Sequence, residues 1–87
     1  MAKKKPKKLD SRIYSVAERL KQLRRDMNYG SYESFAIDFD LDRKQYWRIE
    51  NGSNITLSTL IKVLDIHKKD LSVFFREVEN MRRSKDE

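Results

Sequence analysis

The sequence has no cysteine, a single histidine, one proline and two glycines. Without cysteine, neither a disulfide nor a thiolate metal site can form. Two glycines are too few for a glycine-rich phosphate-binding loop. No apolar run approaches the roughly 20 residues that a membrane-spanning helix needs, and no signal-peptide pattern opens the chain. We therefore expect a cytoplasmic protein of one small domain that makes no contact with a membrane.

Candidate catalytic and metal sites are equally scarce. His67, the only histidine, is surrounded by lysines in the sequence and has no partner for a nucleophile–base pair or a metal site. The alternating aspartates at positions 38 to 42 imitate the start of a calcium-binding loop. Its sixth position is Arg43 instead of glycine, however, and its twelfth is Ile49 instead of glutamate. We expect no enzymatic activity, no cofactor and no metal.

Positive charge is abundant but concentrated at one end. The formal net charge is +6, and residues 1–12 account for +5 of it. Residues 1–11 lack apolar periodicity, so we expect a flexible basic arm that contacts DNA phosphates and makes binding strongly salt-dependent. The candidate DNA-binding residues of this arm are Lys3, Lys4 and Lys5. A solubilising tail is the alternative interpretation of these lysines.

Apolar residues recur at three- and four-residue steps through most of the remaining chain, which predicts helices. The predicted inward faces are Ile13, Val16, Ala17, Leu20, Leu23 and Met27 for helix 1; Leu57, Leu60, Ile61 and Leu64 for helix 4; and Leu71, Phe74, Phe75, Val78 and Met81 for helix 5. With two short helices between them, the pattern predicts a compact all-α domain of five helices over residues 12–81. Residues 82–87 are expected to form a charged tail.

Residues 31–52 predict two short helices joined by a tight turn, which is a helix-turn-helix. Ser31 is the expected N-cap of helix 2, and Asp42 that of helix 3, with Gly52 closing helix 3. Tyr46 and Ile49 are expected to point inward. The opposite surface of helix 42–51 then presents long donors that can reach phosphates and base edges in the DNA major groove, namely Arg43, Lys44, Gln45, Trp47 and Arg48.

This pattern resembles the Cro and phage-repressor type of helix-turn-helix, the XRE family, over about residues 13–64. The co-spaced positions that carry the resemblance are Arg25, Ala36, Glu50 and Gly52. The resemblance implies a lambda-repressor-like fold, double-stranded DNA as the partner, and an ion pair between Arg25 and Glu50 that braces the recognition helix.

Three positions depart from the family's pattern. Tyr32 replaces the glutamine that usually opens helix 2, and its hydroxyl could donate the same bond to phosphate. Asp40 replaces the glycine that the family has in the turn, and it must tolerate a left-handed conformation. The linker reads Tyr29-Gly30 where a glycine followed by an apolar residue is usual, so we expect Tyr29 to fill the local gap.

Two further features leave alternatives open. Trp47 either contacts a thymine methyl or sugar, or folds back over helix 2 and covers Phe39, and we favour the second. Phe75, Val78 and Met81 form a stripe on helix 5 that is either ordinary core or the interface of a homodimer reading two half-sites.

The sequence thus predicts a sequence-specific, double-stranded DNA-binding transcriptional regulator that acts as a repressor by occupying an operator. One alternative is the antitoxin of a toxin–antitoxin pair, in which helix 5 or the tail binds the toxin. Another is an adaptor that uses the same fold for protein contacts, which the acidic run Asp38 to Asp42 favours because it lies near the proposed DNA face.

Overall fold

A computed structural model describes residues 9–86 of the chain. Every regular element in this part is an α-helix, which confirms the predicted all-α fold with five helices. In chain order they are α1 (Ser11–Asp26), α2 (Tyr32–Asp38), α3 (Arg43–Asn51), α4 (Leu57–Ile66) and α5 (Leu71–Asp86). The lysines at positions 3 to 5, and most of the predicted basic arm, lie outside the described residues.

Short polar side chains fix where the first four helices begin. Asp10, Ser31, Asp42 and Thr56 are the N-caps of α1 to α4, and the side chain of each accepts a hydrogen bond from a backbone N–H two or three residues further on. Each bond satisfies one of the donors that a helix start leaves without an intrahelical partner. The caps predicted at Ser31, Asp42 and Thr56 are therefore confirmed.

Left-handed residues lie in the connections between helices. Asp40, between α2 and α3, has φ 55°, as expected for a residue at the position of a turn glycine. Gly52 ends α3 with φ 92°, and a Cβ there would overlap the ring of Tyr14 on α1. Gly52 is thus required both by its backbone conformation and by the close approach of α1.

The core is formed where α1, α2 and α3 pack together and α5 closes over α1. Its largest fully buried side chains are Tyr46, Phe35, Phe74, Leu20, Leu64 and Val63. The prediction for α4 was partly wrong. Leu57 and Ile61 are 60% and 38% exposed, and Val63 is buried in their place. The predicted and the observed buried faces of α4 both repeat at helical spacing, so spacing alone allows either one. Tertiary packing selects the face formed by residues 60, 63 and 64.

Helix α5 differs from the prediction in two ways. It continues to Asp86, so the segment expected to be a separate charged tail is helical up to that residue. Val78 is only 3% exposed and belongs to the core cluster, whereas Phe75 is 40% exposed. Val78 therefore cannot be part of a dimer surface, because it is already covered by its own chain.

Candidate nucleic-acid interface

Helix α3 separates its residues cleanly into a buried and an exposed side. Tyr46 and Ile49 are 0% and 4% exposed, as predicted. The five residues predicted to face DNA are all exposed: Arg43, Lys44, Gln45, Trp47 and Arg48. One face of a nine-residue helix is thus available to a partner, and it carries three cations, an amide and an indole.

A surface groove of about 490 Å³ runs between the start of α2 and this face of α3. Tyr32 and Trp47 are its aromatic residues, and Arg43, Lys44 and Arg48 are its cations. The remaining lining residue is Glu33, whose carboxylate lies 3.8 Å from the Arg43 guanidinium. Both side chains of this pair are more than half exposed, so water screens their attraction.

The position of Trp47 contradicts the interpretation that we favoured from the sequence. Trp47 is 48% exposed and lines the groove together with Tyr32. The Phe39 ring instead packs against Tyr29 and Phe35, with ring centroids 5.8 Å and 4.8 Å away. Tyr29 therefore occupies the place over Phe39 that the sequence interpretation gave to Trp47. The expectation that Tyr29 fills the gap in this region is confirmed.

The residue that braces α3 is Arg24, and the prediction of Arg25 was wrong. Arg24 donates from Nε and Nη2 to the two carboxylate oxygens of Glu50, at 2.7 and 2.9 Å, and both side chains are at least 96% buried. Its third donor, Nη1, bonds the carbonyl oxygen of Tyr29 at 2.7 Å. Arg25 is exposed. A single side chain on α1 therefore fixes both the end of α3 and the loop before α2.

Sequence reasoning could have found Arg24 from its spacing. Arg24 follows Leu20 by four residues, which places it on the buried face of α1, whereas Arg25 lies about 100° further round the helix. The prediction took the position of the arginine from the family's pattern and did not use this periodicity. A shift of one residue therefore assigned the ion pair to the exposed Arg25 and not to the buried Arg24.

Charge and burial act together around the Arg24–Glu50 pair. The hydrogen bonds to Glu50 raise the pKa of Arg24 further, which keeps the guanidinium charged. Burial, reinforced by the negative charge of Glu50, raises the pKa of Tyr46 well above its usual range. The Tyr46 hydroxyl is buried without a well-formed hydrogen bond to any of the described residues. Tyr46 therefore contributes through its ring, which packs against Phe35 with a centroid separation of 5.0 Å.

The acidic run near this face has structural roles. Asp38 accepts a hydrogen bond of 2.7 Å from the Tyr29 hydroxyl, and this bond raises the pKa of Tyr29. Asp42 caps α3 through the N–H of Gln45 at 2.8 Å. Asp40 occupies the left-handed position of the turn. These roles explain the aspartates without a protein partner, which weakens the main support for the adaptor alternative.

His67 packs on the core at the end of α4. Its ring stacks on Phe35, with centroids 5.4 Å apart and planes inclined by 9°. Burial, with a smaller contribution from the charge of Lys69, lowers the pKa of His67. Within residues 9–86, no cluster of histidine, aspartate or glutamate could hold a metal ion, and no helix has the length and apolarity to cross a bilayer.

Comparison with known proteins gives one informative similarity. The chain is 42% identical over 62 residues to the control protein C.MunI from Mycoplasma sp, an alignment that covers 70% of this chain and 84% of the relative. No protein-family model matches the chain. No solved structure is similar enough to count as a match.

Proposed function

Because this chain belongs to the family of control proteins that includes C.MunI, and is therefore a DNA-binding transcriptional regulator, we propose that it reads a specific operator with α3 and acts as a repressor. Its ligand is double-stranded DNA, and α3 lies in the major groove. The observation that carries the proposal is the exposed face of α3, on which every outward residue predicted to bind DNA is free to reach a base or a phosphate.

The dimensions of α3 suit this role. An α-helix with its side chains is about 10–12 Å in diameter, and the major groove is about 12 Å wide. Arg43 and Arg48 can each form a bidentate contact with the acceptor edge of guanine, and Gln45 can do so with adenine. Tyr32 and Lys44 line the surface groove beside α3, and we expect them to contact phosphates at the edge of the DNA major groove. The buried Arg24–Glu50 pair holds α3 at a fixed angle to the rest of the domain, which direct readout requires.

The lysine-rich N-terminal segment supplies the sequence-independent part of the affinity. Residues 13–87 carry a formal net charge of only +1, so most of the long-range attraction to DNA comes from residues 1–12. Deleting residues 1–8 should weaken binding to all sequences and reduce the salt dependence.

We further propose that the regulator is a homodimer, through a surface that differs from the predicted stripe. Leu57, Ile61 and Phe75 are large apolar side chains that are between 38% and 60% exposed. Leu57 and Phe75 line one apolar groove together with Ile13 and Val16 of α1. A second copy would cover this surface and place two α3 helices on successive half-sites. Sedimentation of wild type against Leu57→Asp tests it, and a monomer mass for wild type at tens of micromolar would contradict it.

Selection from a random pool of double-stranded DNA at near-physiological salt tests the proposed function. We expect a short palindromic motif. Arg48→Ala should lose preference at one position of each half-site, at a cost of about 1–3 kcal/mol. Lys62→Ala, which removes an exposed cation from α4, is the matched control and should retain the motif. If nothing is enriched and all binding disappears as salt rises, the regulator does not read sequence with α3, and a protein partner such as a toxin becomes the better hypothesis.

A further inference from the structure

Trp47 is a large aromatic side chain that the fold leaves exposed in the middle of a cationic face. It is the only tryptophan in the chain and is 48% exposed. It follows Arg43 by four residues and Lys44 by three, so these three side chains lie on one face of α3. About half of its surface is left exposed, although burial of an aromatic ring is among the most favourable contacts available to a protein.

The chemistry of the indole restricts what it can recognise on DNA. It has one N–H donor, no acceptor and a flat apolar surface. In the major groove the apolar group on the base edges is the 5-methyl of thymine, and apolar contact with it distinguishes thymine from the other bases. The cations of α3 that line the same surface groove are suited to phosphates and to guanine, and Trp47 is the apolar side chain that α3 contributes beside them.

We infer that Trp47 is a specificity-determining residue that packs against the 5-methyl group of a thymine. This inference rests on the proposed function, because it requires α3 to lie in the major groove. The spacing also predicts where the thymine lies. Residues four apart are about 6 Å apart along the helix axis, and stacked bases are about 3.4 Å apart, so the thymine is about two base pairs from the base that Arg43 contacts.

The test replaces thymine by deoxyuridine, which removes the methyl group and leaves the hydrogen-bonding edge unchanged. Each thymine of the selected motif is replaced in turn, and affinity is measured by anisotropy of labelled DNA. For wild type we expect one position per half-site at which binding weakens about three- to fourfold, the value expected for one buried methyl group. Trp47→Ala should bind the thymine duplex and the deoxyuridine duplex equally well. Trp47→Phe should keep part of the preference for thymine over deoxyuridine. Deoxyuridine outside the motif is the DNA control.

Trp47 itself provides a second, optical readout, because no other tryptophan contributes to the emission. Saturating the protein with the selected DNA should lower the acrylamide quenching constant of the indole fluorescence. This constant should be at least twofold lower than with an unrelated duplex of the same length.

The failures of the two proposals are distinguishable. If a motif is selected but deoxyuridine changes the affinity at no position, or the indole is as accessible to acrylamide as in free protein, the inference about Trp47 is wrong and the regulator proposal stands. If no motif is selected, both proposals fail. Circular dichroism of the Trp47 variants confirms that they fold, which we expect because the side chain is not part of the core.

Discussion

Removing the buried guanidinium of Arg24 should destabilise this domain far more than any neighbouring surface change. Arg24→Ala leaves the Glu50 carboxylate buried without a partner, and it removes the hydrogen bond to the carbonyl oxygen of Tyr29. Breaking a buried ion pair by removing one partner costs about 3–5 kcal/mol. A chain of 87 residues has a total free energy of unfolding of about 4–13 kcal/mol. The substitution should therefore bring the domain close to its stability limit at 25 °C.

Urea denaturation followed by far-ultraviolet circular dichroism measures this effect. Arg25→Ala is the matched control, since it removes the same charge from the adjacent, exposed position. It should change the free energy of unfolding by no more than about 0.5 kcal/mol. Equal losses for Arg24→Ala and Arg25→Ala would refute the argument, because the two variants differ only in the burial and pairing of the guanidinium.

The double variant Arg24→Met with Glu50→Leu separates the cost of an orphaned charge from the net contribution of the pair. Replacement of both charges by apolar side chains removes the unpaired carboxylate, so the double variant should be more stable than Arg24→Ala. If it is as unstable as the single variant, the loss comes from packing or from the Tyr29 carbonyl and not from the buried charge.

Three further predictions concern individual side chains. Tyr46→Phe removes a buried hydroxyl that has no well-formed hydrogen bond, so it should leave the free energy of unfolding unchanged or raise it by up to about 1 kcal/mol; a loss above this would reveal an important contact of the hydroxyl. Glu33→Gln removes a negative charge beside Arg43 and should strengthen binding to all DNA sequences severalfold at low salt, an increase that should vanish near 1 M salt and be absent in Glu79→Gln. His67 has a lowered pKa in the folded protein, so its contribution to stability is complete above the unfolded pKa of about 6.5 and is lost as the pH falls below it. The fall in urea midpoint between pH 7 and pH 5 should therefore be smaller in His67→Gln, and an unchanged fall would assign the pH dependence to other groups.

Much of this fold could be predicted because its signals are local. The N-caps at Ser31, Asp42 and Thr56 are set by hydrogen bonds over three residues, and the left-handed Asp40 is set by a turn of a few residues. The buried and exposed sides of α3 also follow from spacing alone. Tyr46 and Ile49 are buried, and every other residue of this short helix except Trp47 is polar.

The interpretation of Trp47 shows where local reasoning was insufficient. A large aromatic residue next to a core position can either fold inward or remain exposed, and the choice depends on which side chain packs in the available space with the lower free energy. Here Tyr29 packs on Phe35 and Phe39, held by its hydrogen bond to Asp38. Trp47 is consequently part of the candidate DNA-binding face.

The sequence by itself determined the five helices, the starts of α2, α3 and α4, and the identity of the candidate recognition helix, because these depend on interactions between residues a few positions apart. Only the tertiary structure decided that Glu50 is the partner of the inward-facing Arg24, that Val63 is buried, and that Leu57 and Phe75 are exposed. The physical reason is that an apolar stripe defines the faces of a helix without defining what covers them. Adjacent residues lie about 100° apart around the axis, so the angle at which neighbouring helices pack determines which of two plausible residues becomes buried.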